Sequence, residues 1–272
     1  MATCLSVSST SLERLSIGSK YPQTRPGRKT RRPPPLTRTL LPVLTELHFK
    51  GVNDYLEDLV ARIDAPLLKD LDITFLHQLI LDTPKLTQFI TRTPNFKALS
   101  EAEARTIVVF SETEVLVRLQ TLEEWQLKLK LKVSCRQSDW QLSSLTQLCS
   151  SSFPQPLIPA VERLYIEDRY PRPDWQDDIE ISQWLDLFRP FTAVQDLYIS
   201  QEFMPRIAPA LQELVGERVT EVLPSLQTLF LPETLPSGPV QESIKQFVDA
   251  RLLAGHPVAV HLSRRESPSY PH

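Results

Sequence analysis

The chain has 272 residues, 41% hydrophobic and 23% charged, with a formal net charge of −3, a balance that argues against general affinity for nucleic acid or anionic membrane. Its six glycines supply neither a G-x-G-x-x-G nor a G-x-x-x-x-G-K spacing, which excludes the common phosphate-cradling loops. No apolar run approaches the ~20 residues of a membrane helix, and three cysteines (Cys4, Cys135, Cys149) without a C-x-x-C pair read as reduced thiols of a cytosolic or nuclear protein.

In chain order, Leu12-Glu-Arg-Leu15-Ser-Ile17 is the first candidate strand. Lys20 to Arg38 then holds seven basic residues and no acid, so the rest of the chain is distinctly acidic. This Pro/Arg-rich loop is not a domain boundary, because strands are expected on both sides; Arg25 to Arg32 read either as a solvated loop or as a phosphate-contacting or nuclear-import patch. Leu44 to Phe49 and Leu68 to Ile73 are the next strands. Between them Asn53-Asp54 are expected to cap a helix over Tyr55 to Ile63, whose Leu56, Leu59, Val60 and Ile63 share one face. Thr83-Pro84 opens a helix over Lys85 to Arg92.

The middle, 103–135, breaks this rhythm. Thr106 to Phe110, Val115 to Leu119 and Gln126 to Cys135 read as strands, some of them antiparallel, and in the last one leucines alternate with Lys128, Lys130 and Lys132. That alternation predicts one buried face and one solvated lysine row. Helices follow over Ser143 to Cys149, Ile179 to Phe188, Pro205 to Val215 and Val240 to Leu253. The tail 263–272 lacks periodicity and is expected to be disordered.

Three near-copies of one phrase lie among these helices: Val161-Glu-Arg-Leu-Tyr-Ile-Glu167, Val194-Gln-Asp-Leu-Tyr-Ile-Ser200 and Leu226-Gln-Thr-Leu-Phe-Leu-Pro232. Their central leucines, Leu164, Leu197 and Leu229, are 33 and 32 residues apart. One strand and one helix per fixed period is the pattern of a solenoid, which builds surfaces for partners more often than reaction centres. The expected fold is an α/β, irregular leucine-rich-repeat solenoid over 1–262. It forms a short arc with a mostly parallel sheet on the concave face and helices on the convex face.

The stretch from Pro33 to Pro66, Ser138-Asp-Trp-Gln-Leu-Ser-Ser-Leu145, Arg172-Pro-Asp-Trp-Gln-Asp178 and the closing Pro236 to Pro257 resemble the leucine-rich region of F-box-type proteins expanded in mushroom-forming fungi. In that family an N-terminal F-box docks the Skp adaptor of a cullin ubiquitin ligase, and the repeats are presumed to hold the substrate. No F-box phrase precedes Leu12. The resemblance therefore implies a protein-recognition module, the substrate-binding portion of an adaptor lacking its F-box. A Skp-type adaptor is a partner only if an F-box lies upstream. The alternative is a truncated, structural or non-functional fragment without a specific partner.

In each L-x-x-L-x-L strand, the residue between the last two apolar positions points to the concave face. This places His48, Asp72, Tyr165, Tyr198 and Phe230 there, the last three as an aromatic strip flanked by Arg163, Glu167, Asp196 and Thr228. The strip reads as a partner-binding platform, or as strand aromatics that simply stack on each other. Catalysis, cofactor and metal have no supporting pattern: the five histidines lack H-x-x-x-H or H-E-x-x-H spacing, and there is no G-x-S-x-G elbow. Asp174, Asp177, Asp178 and Glu180 read as a solvated acidic loop rather than a calcium site. Trp140 and Trp175 read as loop wedges.

Overall fold

The computed structural model of the protein describes residues 10–18, 38–76, 81–98, 104–111, 114–121, 128–134, 138–152, 158, 160–168, 180–233 and 238–263. A tight turn recurs before the strands. The amides of Leu44, Leu68, Val161 and Leu226 donate to the carbonyls of Leu41, Ala65, Ile158 and Leu223 at 3.3, 3.2, 3.1 and 3.1 Å. Pro42, Pro66 and Pro224 occupy the second position of their turns, and Pro159 has the same place in the sequence. Proline there presets the backbone angle that such a turn needs. A chain this rich in proline thus uses part of it to start strands.

These four turns feed β3 (Glu46–Gly51), β5 (Asp70–Leu76), β9 (Arg163–Asp168) and β11 (Thr228–Pro232), and β1 (Arg14–Gly18), β10 (Asp196–Ile199) and β12 (Ala259–Ser263) complete the series. One carbonyl just before a strand accepts two successive amides of the next unit: Glu13 from Thr45 and Glu46, Glu162 from Gln195 and Asp196, Gln195 from Gln227 and Thr228. The spacing of 32 or 33 residues therefore has a backbone contact behind it.

Between the strands run α1 (Asn53–Val60), α2 (Pro84–Arg92), α3 (Pro94–Ala98), α4 (Ser138–Gln147, continued by a π turn over Leu148–Ser152), α5 (Ile181–Phe188), α6 (Met204–Gln212) and α7 (Pro239–Leu253). Several boundaries differ from expectation. Asn53 does not cap α1; it is the first helical residue, and its side-chain amide donates to the carbonyl of Asp82. Ile63 leaves the helix for β4 (Ile63–Asp64), which pairs with β2 (Thr39–Leu40). The helix expected to reach Val215 stops at Gln212, and the chain turns through a 3-10 segment from Gly216, whose φ of 58° suits glycine.

The ten-stranded sheet has the order β1-β3-β5-β8-β7-β6-β9-β10-β11-β12. Here β6 is Ala104–Phe110, β7 Glu114–Thr121 and β8 Lys128–Ser134. The middle of the chain forms two antiparallel pairings, β6–β7 and β7–β8, so among the described strands of this sheet only β7 opposes the other nine. The patch is also inserted backwards: β6 pairs in parallel with β9, and β8 with β5. A single register row then crosses the sheet through Leu15, Leu47, Leu71, Leu129, Leu119, Thr106, Leu164, Leu197, Leu229 and Val260. Thr106 interrupts the apolar row, and its fully buried hydroxyl has no hydrogen-bond partner among the described residues.

The leucine side of the sheet packs with Leu56, Phe89, Leu142, Trp184, Ile207 and Phe247 of the helices in one continuous core. Each fully buried leucine there contributes about 1.5–3 kcal/mol. Polar ties join neighbouring helical units. Glu57 of α1 accepts from the amides of Lys85 and Leu86 at 2.9 and 2.8 Å, capping α2, whose own Thr83 makes no side-chain cap bond. Arg92 at the end of α2 donates to the carbonyls of Val60 and Ile63 and to Asp64. Arg251 of α7, 1% exposed, reaches Val219 and Leu226 at 2.9 Å each. Both arginines hold a carbonyl 32 residues upstream.

Candidate binding face of the sheet

Strand side chains alternate, so the row beside the buried leucines projects from the sheet face opposite the helices. In spatial order it reads Ser16, His48, Asp72, Lys130, Arg118, Ile107, Tyr165, Tyr198, Phe230, His261. The expected aromatic strip is thus in register on three adjacent strands, all three rings half-buried. Tyr165 and Tyr198 stack at 4.1 Å with planes 8° apart, and Tyr198 and Phe230 at 4.1 Å and 5°. His261 adds a fourth, exposed ring at 5.4 Å and 25° from Phe230.

Face-to-face stacking has a chemical consequence. Both faces of Tyr198 are covered by neighbours, so its edge is what meets an incoming group. Ring edges carry the positive part of the aromatic quadrupole, which favours oxygen acceptors and the faces of other rings. Burial, with Tyr165 beside it, pushes the Tyr198 hydroxyl well above the ordinary tyrosine range, so this hydroxyl stays protonated and keeps its donor.

The flanking residues fall where the alternation predicts. Arg163, Asp196 and Thr228 share the next outward row, with the Arg163 guanidinium 3.5 Å from the Asp196 carboxylate. Glu167 lies on the other side of the strip, in register with Val109. Beside Tyr165, Ile107, Val109 and Leu116 form a small second apolar cluster, buried on this same face. Sequence reasoning missed that cluster and His261. The period offers a signal for His261, since Val260 follows Leu229 by 31 residues and the phrase around it retains the alternation.

His48 and Asp72 do not join the aromatic strip. The reversed β6–β8 patch separates them from it, and they belong to a charged half of the same row. There Asp72 binds Lys130 at 2.6 Å. His48 lies 3.4 Å from Glu46, which Arg14 holds at 2.5 and 2.8 Å and thereby keeps below the usual carboxylate range. The lysine row is not simply solvated, as the alternation alone predicts. Lys130 and Lys132 are only 24% and 23% exposed, and burial together with Lys130 lowers the Lys132 ammonium. Burial raises the Asp70 carboxyl on the neighbouring strand.

Among the described residues no group of three or more His, Cys, Asp or Glu side chains is placed to hold a metal ion. Cys149 is buried in the core, which pushes its thiol far above the reactive range. The basic loop up to residue 37, Cys4, Cys135, the acidic residues Asp174, Asp177 and Asp178, Trp175, the side chain of Trp140 and the tail beyond 263 lie outside the described residues.

Fold and face together define a mixed α/β protein: a large, mostly parallel sheet with helices on one side and an aromatic ladder on the other. No described helix is long and apolar enough to cross a membrane. Comparison with protein-family models, curated proteins and solved structures found no match.

Proposed function

We propose that the chain is an irregular leucine-rich-repeat solenoid whose open sheet face recognises a protein partner. The observation that carries this reading is the stacked row of Tyr165, Tyr198 and Phe230, half-buried on the sheet face opposite the described helices. Aromatic rings fixed by stacking offer contact area at little entropic cost, which is the character of interface anchors. Repeated turns and 32-residue backbone ties support the repeat reading. Within it, the resemblance of Pro33 to Pro66 and Pro236 to Pro257 to the leucine-rich region of F-box-type proteins supports a role as the substrate-holding portion of a ubiquitin-ligase adaptor lacking its F-box.

The test is affinity capture with wild type and with a Tyr165→Ser, Tyr198→Ser, Phe230→Ser triple variant. A partner recovered by wild type is expected to be lost with the variant while its circular dichroism spectrum survives. Undiminished capture by a folded triple variant refutes the assignment of the face.

A second reading, a structural chain without a specific partner that associates with itself, draws on the apolar surface near β12. Leu252, Leu253, Val260 and Leu262 are 61%, 89%, 40% and 56% exposed. Concentration-dependent mass in light scattering distinguishes it from the first.

A further inference from the structure

Val260 and Leu262 continue the two buried aliphatic rows of the sheet, in register with Leu229 and Leu231. Their counterparts are at most 1% exposed, whereas they themselves are 40% and 56% exposed. On the opposite face His261 ends the ring ladder, stacked on Phe230 on one side only among the described residues. The backbone is open in the same direction. The amide of Ala259 donates to Gln227 on the β11 side, and strand groups alternate, so the amides and carbonyls of Val260 and Leu262 face away from β11. No described strand meets them.

These three open valences ask for one occupant. We infer that the free edge of β12 accepts an extended segment of a partner protein with an aliphatic–aromatic–aliphatic pattern. Its backbone pairs with Val260 and Leu262, its aliphatic side chains cover them on the helix side, and its ring stacks beyond His261. The next strand position lies ~4.8 Å out, within stacking distance of the ladder. The pattern is the one the chain itself uses at Leu164-Tyr165-Ile166, Leu197-Tyr198-Ile199 and Leu229-Phe230-Leu231, so the sheet that grows by this phrase internally is complementary to it at its edge. Strand addition to an exposed edge is a general mode of peptide recognition, with main-chain bonds giving affinity and alternate side chains giving selectivity.

This inference rests on the reading of the sheet as a recognition surface, yet the two fail separately. The triple ladder variant tests partner capture; a peptide titration tests the edge. The probe is a blocked, lysine-flanked peptide with the core Leu-Tyr-Leu, compared with Leu-Ser-Leu. Wild type is expected to bind Leu-Tyr-Leu saturably and several-fold more tightly, with the Val260 and Leu262 amides becoming protected from hydrogen exchange. Leu262→Pro removes a donor that faces outward, so no internal bond is lost, and is expected to weaken binding by tenfold or more. Leu262→Lys serves as a second variant should proline disturb the strand. His261→Ala is expected to erase the preference for tyrosine over serine while Leu-Ser-Leu still binds. The inference is overturned by absence of saturable binding to wild type, or by unchanged binding to both folded Leu262 variants. Protection of the two amides on raising protein concentration without peptide also overturns it, since a second copy then occupies the edge.

Discussion

Removal of the Glu57 carboxylate tests whether one helical unit caps the next. Glu57 is 8% exposed and holds the amides of Lys85 and Leu86 at 2.9 and 2.8 Å, on a helix with no side-chain cap of its own. In Glu57→Ala, two donors lose a charged acceptor, each bond worth about 1.5–3 kcal/mol when made to an ion. Relief of the buried charge offsets part of that loss, because burial outweighs the two backbone bonds and raises the Glu57 carboxyl above its usual range. The expected net cost is about 1–3 kcal/mol, the upper range of a lost N-cap, or a fall in Tm of about 2–4 °C per kcal/mol for a chain of this size. Urea denaturation should show a lower midpoint with unchanged slope, and hydrogen exchange should quicken at Lys85 and Leu86 first. The pH dependence has a definite sign. The folded state keeps this proton longer than the unfolded state, so stability relative to Glu57→Gln declines as pH rises from the ordinary carboxylate range through the raised value, and is flat above it. A Glu57→Ala change below ~0.5 kcal/mol, the scale of a neutral surface substitution, with unaltered exchange at both amides refutes the inter-unit cap.

Arg251→Met is expected to destabilise by about 2–4 kcal/mol, since the buried carbonyls of Val219 and Leu226 lose their donors. Arg251→Lys should recover only part, because an ammonium cannot span both; urea midpoints of the two variants check this. Tyr198→Ser removes both stacks of the central ring and is expected to cost about 1–3 kcal/mol, where each aromatic pair contributes ~0.5–1.5 beyond burial. In alkaline absorbance titration, Tyr198 should ionise after ordinary tyrosines, a late phase missing in Tyr198→Phe. By linkage, the raised hydroxyl contributes a loss of stability as pH climbs above the ordinary tyrosine value.

The aromatic strip was legible because both of its ingredients are local. An apolar position every second residue decides which side of a strand a chain atom faces. A period near 32 residues decides which residues share a row, so Tyr165, Tyr198 and Phe230 could be aligned from Leu164, Leu197 and Leu229 alone. The proline turns at Pro42, Pro66 and Pro224 are equally local, since each needs only a proline at the second position of a four-residue turn. Helix ends were less legible: Asn53 has the composition of a cap but bonds to the neighbouring unit, a contact 29 residues away.

What the sequence by itself determined is the unit: a turn, a leucine-centred strand and an amphipathic helix, each specified by residues within a few positions of one another. What only the tertiary structure decided is the order of β6, β7 and β8, and hence that His48 and Asp72 sit apart from the aromatic strip. The hairpin residues alternate identically whichever end of the patch meets β5. The choice is made by which edges pair over long distances, Leu71 with Leu129 and Thr106 with Leu164, and by the lysine row finding Asp72 and Glu114 on adjacent strands. Those contacts join residues 58 apart at Asp72–Lys130 and as many at Thr106–Leu164, beyond the reach of any local pattern.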